Sequence, residues 1–158
     1  MVKIFGCDID GTLTDGGIYY FSTGIRAIKF NRKDGHGFQL LREKDIKTVV
    51  VSKSKDSLIE DRCRDLKIDH ILLGIDNKID ALNKLFAWEN YSWSGFAYIG
   101  DDINDIEVLT KSYVSAAPRD AVCQVRKMVQ FQCRKNGGNG AVREFIDFIL
   151  GGMSCGTQ

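Results

Sequence analysis

Short apolar runs alternate along the chain with segments in which apolar residues recur at helical spacing. The apolar runs predict strands over residues 2–7, 46–51, 70–73, 96–99, 113–116 and 129–131. The helical spacing predicts helices over residues 37–44, 54–66, 77–89, 103–111 and 141–150. Pro118 is typical of a further helix start. Between the first strand and the first helix, alternating residues 18–30 surround Ser22-Thr23-Gly24 and predict a β-hairpin.

This order predicts an α/β fold, with a three-layer, Rossmann-like arrangement of a parallel sheet and helices on both faces. About thirty residues separate Gly16 from Ile46, which is enough for a hairpin flap at about residues 16–30 and one helix. That length is too short for a separate cap domain. We expect one domain over residues 1–150 and a flexible, glycine-containing tail over residues 151–158.

The composition agrees with a single folded domain. Hydrophobic residues make up 44% of the 158 residues and charged residues 27%, and the net charge is +1. These values argue against disorder and against nucleic-acid binding. The apolar runs are far shorter than the roughly 20 residues that cross a membrane. The five cysteines are widely spaced and form no C-x-x-C pair, so we expect reduced thiols and a cytoplasmic protein.

The most informative motif is Asp8-Ile9-Asp10-Gly11-Thr12, directly after the first apolar run. In extended backbone, residues i and i+2 point the same way, so Asp8 and Asp10 are expected to lie close together beyond the strand. Adjacent carboxylates repel unless a cation lies between them or one keeps its proton. A solvated loop is the alternative for an isolated Asp-x-Asp pair. A calcium loop is excluded, because Leu13 and Tyr19 stand where it needs glycine and glutamate.

Polar residues also follow other predicted strands. Because ligands of parallel sheets bind beyond the carboxyl ends of the strands, these residues are predicted to converge on the aspartate motif. Taken alone, Ser52 could cap a helix, Lys78 could be a solvated lysine, and Asp101 could belong to a helix N-terminus. The polar residues at these strand ends are Ser52, Asn77, Lys78, Asp101, Asp102 and Asp105.

The converging carboxylates predict a Mg²⁺ site, since Mg²⁺ prefers oxygen ligands and keeps several waters. We assign Asp8 and Asp101 as its carboxylate ligands and the backbone carbonyl of Asp10 as a third protein ligand. Asp105 and Asp102 are expected to orient these ligands through hydrogen bonds. The predicted cofactor is therefore Mg²⁺.

The same segments predict phosphoryl transfer. Asp8 is expected to attack phosphorus in line and to form an aspartyl-phosphate. Asp10 is expected to protonate the leaving alkoxide and then to deprotonate the water that hydrolyses the intermediate. Ser52 and Lys78 are expected to hold the phosphoryl oxygens, Lys78 as a point charge.

Six motifs together resemble the haloacid dehalogenase superfamily, and specifically its small capless branch. They are DIDGTLTDG (8–16), FNRKDG (30–35), EDRC (60–63), NK (77–78), GDD (100–102) and GGNGAVRE (137–144). That branch contains phosphatases of 3-deoxy-octulosonate 8-phosphate and of nonulosonate 9-phosphates, and the C-terminal domain of some acylneuraminate cytidylyltransferases. The resemblance implies a Mg²⁺-dependent phosphatase whose small-molecule substrate is a phosphorylated sugar acid.

The resemblance also implies contacts that the motifs alone do not give. Arg62 would contact a substrate anion, the alternative being a solvated helix charge. The branch forms homotetramers in which the hairpin and tail of one subunit close a neighbour's site, and the apolar hairpin residues favour such burial independently. The other substrate-binding residues that it implies are Asp10, Asn31, Arg32, Lys33, Asp34, Gly35 and Lys78.

Three positions depart from the pattern of the octulosonate phosphatases. Ser54, Gln39 and Asn139 each stand where an arginine is usual. A hydrogen bond to a charged group contributes roughly 1.5–3 kcal/mol, so the loss of these charges should alter which sugar acid is preferred. We expect better use of a longer or differently substituted acid, such as a nonulosonate 9-phosphate.

Two other functions stay open at this point. One is a non-catalytic or regulatory oligomerisation domain associated with an acylneuraminate cytidylyltransferase, although the intact acidic pair, Lys78 and Asp101 favour catalysis. The other is a phospho-accepting signalling domain, which uses similar residues. Such a domain needs its acceptor aspartate after a central strand, whereas the motif here follows the first strand.

Overall fold

The secondary structure follows the predicted alternation of strands and helices. The computed structural model describes residues 1–151 of the chain. The strands are β1 (Ile4–Cys7), β2 (Tyr19–Tyr20), β3 (Arg26–Ala27), β4 (Lys47–Ser52), β5 (His70–Leu73), β6 (Phe96–Ile99), β7 (Val114–Ala117) and β8 (Phe131–Gln132). The α-helices are α1 (Arg32–Arg42), α2 (Ser57–Asp65), α3 (Lys78–Glu89), α4 (Ile106–Lys111), α5 (Cys123–Met128) and α6 (Ala141–Leu150). Short 3₁₀ turns occupy Trp93–Gly95 and Ile103–Asp105.

Strand β1 lies inside a parallel sheet whose strand order, within residues 1–151, is β5-β4-β1-β6-β7-β8. In the pairing register, Ile4 lies beside Lys47 on one side and Phe96 on the other. All neighbouring strands of this sheet run parallel, so their carboxyl ends open at one edge. The predicted Rossmann-like parallel sheet is confirmed.

Helices cover both faces of the sheet. Successive residues of a strand point to opposite faces, so Phe5 and Cys7 pack into one core and Ile4 into the other. Residues of α1, α2 and α6 join the first core, and residues of α3, α4 and α5 join the second. Fully buried Phe38 and Phe145 each stabilise the first core by about 2 kcal/mol. The predicted three-layer arrangement is confirmed.

The predicted hairpin flap is formed by β2 and β3, which pair antiparallel. The N–H of Phe21 donates to the carbonyl of Ile25 at 3.0 Å, and Gly24 supplies the positive φ of +81° that the turn requires. The apolar side chains of Ile18 and Tyr20 are 57% and 73% exposed. Within the described residues, β2 and β3 of this flap are the strands between β1 and α1, apart from a single bridge between Thr14 and Phe30. A cap domain is thus absent there, as predicted.

Helix α1 begins earlier than the predicted residue 37. The side chain of Asn31 accepts the N–H of Lys33 at 2.8 Å and so caps the helix. In the first turn, Asp34 is fully buried, and its two oxygens accept the backbone N–H groups of Gly140 at 3.2 Å and Arg143 at 2.8 Å. The first turn of α1 is therefore polar and faces the start of α6. Because it lacks apolar residues, the apolar pattern does not indicate that the helix begins there.

Two further predicted helix starts are wrong. Helix α2 begins after Asp56, whose side chain accepts the N–H of Leu58 at 3.0 Å, and residue 54 lies in the preceding loop. Pro118 does not start a helix. Its carbonyl accepts the N–H of Ala121 at 3.2 Å and closes a turn, and α5 begins only at Cys123.

No helix within residues 1–151 is long and apolar enough to cross a membrane. Cys7, Cys63 and Cys133 are buried free thiols, and Cys123 is an exposed one. The predicted flexible tail over residues 151–158, which includes Cys155, lies outside the described residues except for Gly151.

Candidate active site

Separate segments bring polar side chains to the carboxyl edge of the sheet. Asp8 directly follows β1, and Ser52 is the last residue of β4. Lys78 is the first residue of α3, which follows β5. Asp101 lies after β6, from which Gly100 separates it. Because these strands run parallel, their last residues lie on the same side of the sheet. The fold therefore places these predicted site residues at one edge.

Lys78 is the cation at the centre of this edge. Its residue is 3% exposed, and its Nζ lies 2.8 Å from Oδ1 of Asp8 and 2.8 Å from Oδ1 of Asp105. Burial alone would lower the pKa of Lys78, but the two carboxylates outweigh it and raise the pKa. The side chain of Asn77 accepts the N–H of Asp80 at 3.1 Å and starts α3 at this point. Lys78 is thus held as an ammonium that bridges two aspartates.

Asp105 is the fully buried partner of that ammonium. Its Oδ1 also accepts the hydroxyl of Tyr98 at 2.7 Å. Its Oδ2 accepts the backbone N–H groups of Asp101 at 3.2 Å and Asp102 at 3.3 Å. The exposed Asp102 caps the following 3₁₀ turn, and its side chain accepts the N–H of Ile103 at 2.7 Å. Asp105 therefore orients its neighbours, whereas Asp102 mainly starts the turn that carries Asp105.

The carboxylates of this edge suit a divalent cation. Among the described residues, ligand atoms of Asp8, Asp101 and Asp105 lie within 4.8 Å of one another. Burial, reinforced by the charge of Asp105, raises the pKa of Asp8 well above its usual range and that of Asp101 to about 6. Three carboxylates with the single ammonium of Lys78 leave a charge of −2 when all are ionised. A Mg²⁺ ion held by Asp8 and Asp101 would neutralise that charge.

The side chain of Asp10 lies outside the cluster of Asp8, Asp101 and Asp105. Its Oδ2 accepts the hydroxyl of Ser52 at 3.4 Å, and the Ser52 oxygen in turn accepts the N–H of Ser54 at 3.0 Å. Burial raises the pKa of Asp10, and the hydrogen bond from Ser52 opposes that rise. A carboxyl group with a raised pKa is suited to hold a proton and release it to a leaving group.

A tight turn carries the aspartate motif. The N–H groups of Thr12, Leu13 and Thr14 all converge on the carbonyl of Ile9, at 3.2, 2.9 and 2.9 Å. Gly11 has φ +83°, and a Cβ there would overlap the Asp101 carboxylate. Only glycine therefore satisfies both the backbone conformation and the space beside the candidate metal ligand.

A second glycine segment, at residues 137–138, packs against this turn. The N–H of Gly138 donates to the carbonyl of Thr12 at 3.0 Å, and the N–H of Gly137 donates to the side chain of Asp120 at 2.9 Å. A Cβ on Gly137 would overlap the backbone oxygen of Gly11. The motif at residues 137–144 thus supports the aspartate turn by direct backbone contact.

The Gly137→Ala variant is expected to lose about 3 kcal/mol of unfolding free energy, because backbone on both sides prevents relaxation of the overlap. The matched control is Gly24→Ala in the flap turn, where φ is +81° and a Cβ would meet no atom within 4 Å. That control should lose only about 1 kcal/mol through backbone strain. Denaturant unfolding of both variants measures the difference, and equal losses would contradict the predicted overlap.

The residues implied as substrate-binding at the start of α1 divide into two groups. Arg32 and Lys33 are exposed, while Asn31 caps the helix. Asp34 is turned inward onto α6 and has no exposed surface. Gly35 lies against α2, where a Cβ would come within 3.0 Å of a guanidinium nitrogen of Arg62. The structure thus makes Asp34 a support for α6 and leaves the basic residues accessible.

Arg62 faces a pocket between α1 and α2. Its guanidinium lies 5.9 Å from the ring centre of Phe30, and within residues 1–151 its buried Nε has no hydrogen-bond partner. The pocket has a volume of about 330 Å³. Its lining residues are Arg32, Gly35, His36, Gln39, Arg42, Arg62, Asp65 and Leu66. The excess of basic side chains suits an anion.

The three departures from arginine lie in different places. Ser54 donates its N–H to Ser52 and is therefore next to the candidate phosphate site. Gln39 lines the pocket between α1 and α2 and donates to Glu43 at 3.0 Å. Asn139 accepts Nζ of Lys29 at 2.7 Å, at the base of the flap. Only Ser54 hydrogen-bonds directly to a predicted phosphate-holding residue.

Two side chains that contact the predicted site, Thr12 and Tyr98, are not indicated by the sequence patterns above. The hydroxyl of Thr12 donates to Oδ1 of Asp101 at 3.2 Å, and the hydroxyl of Tyr98 donates to Asp105. Thr12 could have been found, because it lies inside the aspartate motif. Tyr98 could not, because it stands within an apolar strand and is typical of a core residue there.

Known proteins resemble this chain in sequence and in structure. A family model of haloacid dehalogenase-like hydrolases matches residues 68–146. The 3-deoxy-D-manno-octulosonate 8-phosphate phosphatase of Yersinia pestis is 35% identical over 149 residues, which are 94% of this chain and 80% of the relative.

Solved structures of such phosphatases superpose closely on this fold. The enzyme of Moraxella catarrhalis, in complex with magnesium, phosphate and a KDO molecule, gives a TM-score of 0.90 at 34% identity, over 95% of this chain and 86% of that chain. The cobalt-bound enzyme of Haemophilus influenzae gives 0.89 at 33% identity, over 95% and 88%. This chain therefore belongs to the haloacid dehalogenase-like hydrolases, in the family that contains the 3-deoxy-octulosonate 8-phosphate phosphatases.

Proposed function

We propose that this protein is a Mg²⁺-dependent phosphatase that hydrolyses the phosphate monoester of a sugar acid through an aspartyl-phosphate on Asp8. The observation that carries the proposal is the buried Asp8 carboxylate, held 2.8 Å from the Lys78 ammonium beside Asp101. The relatives that share this chain's fold and motifs are named as octulosonate 8-phosphate phosphatases. Their names supply the substrate class, and the site supplies the chemistry.

The residues divide the reaction between them. Asp8 attacks the phosphorus atom, and the bond to the leaving oxygen breaks as Asp10 delivers its proton to that oxygen. Asp10 then removes a proton from the water that attacks the phosphorus of the aspartyl-phosphate. The bond between phosphorus and the Asp8 oxygen breaks, which releases phosphate and regenerates the Asp8 carboxylate. Ser52 and Lys78 bind the phosphoryl oxygens. Mg²⁺, when bound by Asp8 and Asp101, supplies positive charge that offsets repulsion between the carboxylate and the phosphate.

The alternative functions have less support. A non-catalytic oligomerisation domain has no need of a buried lysine between two aspartates, and the relatives are named as phosphatases. A signalling domain would place its acceptor after a central strand, which is where β1 lies in space. The position of Asp8 in the sheet therefore fits both a signalling domain and a phosphatase. The match to a family of hydrolases favours the phosphatase.

Phosphate release from the wild-type protein is expected to stop with a chelator and to return with Mg²⁺. The Asp101→Ala variant should bind Mg²⁺ about tenfold or more weakly, because a ligand is lost, and Asp147→Ala at the exposed end of α6 should bind it normally. Because the pKa of Asp101 is raised to about 6, protons compete with Mg²⁺ below that pH and affinity should fall there. Calorimetry measures these affinities, and equal values for wild type and Asp101→Ala would remove Asp101 from the metal site.

The preferred sugar acid can be decided with a panel of substrates. We expect a nonulosonate 9-phosphate to be used better than octulosonate 8-phosphate, because Ser54 stands beside Ser52 where an arginine is usual. The Ser54→Arg variant should move kcat/KM towards octulosonate 8-phosphate. A clear preference of the wild type for octulosonate 8-phosphate would show that Ser54 does not set specificity.

The protein is further proposed to form a homotetramer through the flap. Ile18, Tyr20, Phe21 and Ile25 are 57%, 73%, 54% and 63% exposed, and all four lie within or directly beside the hairpin of β2 and β3. Such a patch is costly to leave in water. A subunit neighbour that covered it could also close the site against solvent.

Light scattering is expected to give the mass of a tetramer for the wild type and a smaller mass for the Tyr20→Lys, Phe21→Asp double variant. The control is Trp88→Lys, which changes an 86% exposed apolar residue on α3, away from the flap. That control should keep the wild-type mass. A fully active monomer at micromolar concentration would rule out the shared site.

The cytoplasmic location and the absence of nucleic-acid or membrane partners stay predictions.

A further inference from the structure

The hydroxyl of Tyr98 lies beneath the site and has no exposed surface. Tyr98 is fully buried within β6, and its strand neighbours Phe96, Ala97 and Ile99 are buried apolar residues. Phenylalanine would fill the same place without a polar atom. A buried tyrosine hydroxyl needs a partner, and this one donates to Oδ1 of Asp105 at 2.7 Å.

The contact completes the hydrogen bonds of Asp105. Oδ1 accepts from Tyr98 at 2.7 Å and from the Lys78 ammonium at 2.8 Å. Oδ2 accepts the N–H groups of Asp101 at 3.2 Å and Asp102 at 3.3 Å. The position of this carboxylate therefore decides where the ammonium lies relative to Asp8 and how the turn at residues 101–102 is held.

We propose that Tyr98 is a positioning residue for phosphoryl transfer, whose hydroxyl fixes the Asp105 carboxylate so that it holds Lys78 against Asp8. Without that hydroxyl, Oδ1 keeps only the ammonium as a donor, and the carboxylate can rotate towards it. The rotation would draw Lys78 away from Asp8 and weaken the bonds from Oδ2 to the 101–102 turn. The inference rests on the proposed function and adds a residue that does not touch the substrate.

The test is a double-mutant cycle with Tyr98→Phe and Asp105→Asn. In the wild-type background, Tyr98→Phe should lower kcat by about tenfold at saturating Mg²⁺, the size of effect that partners behind a metal ligand have. KM should stay within about twofold, because Tyr98 lies outside the substrate site. In the Asp105→Asn background, Tyr98→Phe should change kcat by less than about twofold, since its target is already altered. The control Tyr91→Phe removes a hydroxyl that contacts His70 at 3.2 Å, far from this edge, and should leave kcat unchanged.

The same cycle can be measured without turnover, by calorimetry of Mg²⁺ binding. Tyr98→Phe should weaken Mg²⁺ binding by about threefold in the wild-type background and not at all in Asp105→Asn. Equal effects of Tyr98→Phe in both backgrounds, or none in the wild-type background, would overturn the proposal. If the wild-type protein released no phosphate from any sugar-acid phosphate, the proposed function would fail, and the calorimetric cycle would still decide the role of Tyr98.

Discussion

The Asp8→Asn variant is expected to keep its fold and to lose turnover by about 10⁴-fold or more. An amide of nearly the same shape can still accept the hydrogen bond from Lys78, which keeps its second partner, Asp105, at 2.8 Å. The amide cannot form the acyl-phosphate bond to phosphorus, so the covalent route closes. Single-turnover phosphate release and thermal unfolding, measured on the same preparation, separate loss of chemistry from loss of fold.

A suitable control for that variant is Asp147→Asn. Asp147 makes an exposed ion pair with Arg143 on α6, at 2.7 Å, so the same chemical change there should alter neither activity nor stability appreciably. Near wild-type turnover in Asp8→Asn would remove Asp8 from the role of nucleophile. Trapping of labelled phosphate on the wild type, and none on the variant, would support the intermediate directly.

The Lys78→Met variant is expected to lose both activity and stability. The change conserves volume but leaves Asp8, Asp101 and Asp105 without a counter-charge in a buried site. Breaking a buried ion pair in this way costs about 3–5 kcal/mol of unfolding free energy. Since Lys78 is also proposed to bind a phosphoryl oxygen, the loss of its charge should lower kcat by about 10³-fold.

The effect of Mg²⁺ on the melting temperature shows whether Lys78→Met is destabilised by the lost charge or by poorer packing. Since the metal supplies the missing positive charge, it should raise the melting temperature of Lys78→Met more than that of the wild type. The control is Lys84→Met, which changes an exposed lysine on the same helix and should leave both quantities near wild type. A Lys78→Met protein as stable as the wild type in chelator would contradict the buried-charge interpretation.

The sequence predicts the strand order along the chain and the convergence of polar residues, because both depend on local patterns. Apolar runs identify the core strands, and parallel strands bring their carboxyl ends to one edge. These patterns therefore predict that Asp8, Ser52, Lys78 and Asp101 lie together. The residue types alone then indicate a cation and a phosphate, since buried carboxylates and an ammonium need charged partners.

Local patterns do not reach contacts between distant parts of the chain. Asp34 belongs to a basic and polar segment that resembles a binding loop, but its carboxylate accepts an N–H from Arg143, 109 residues away. That contact, together with the Asn31 cap, lets α1 start earlier than its apolar residues indicate. The need for glycine at residues 137–138 likewise becomes apparent only in the folded chain, where the backbone of the aspartate turn lies against them.

Sequence patterns are enough to predict the fold class, the edge of the sheet that carries the site and the types of side chain gathered there. Which of these side chains touch depends on the folded chain. It places Lys78 between Asp8 and Asp105, directs Asp10 to Ser52 and makes Tyr98 part of the support of the site. The physical reason is that periodicity fixes the face on which a side chain lies, whereas hydrogen bonds and ion pairs need distances of about 3 Å, which only the packed chain defines.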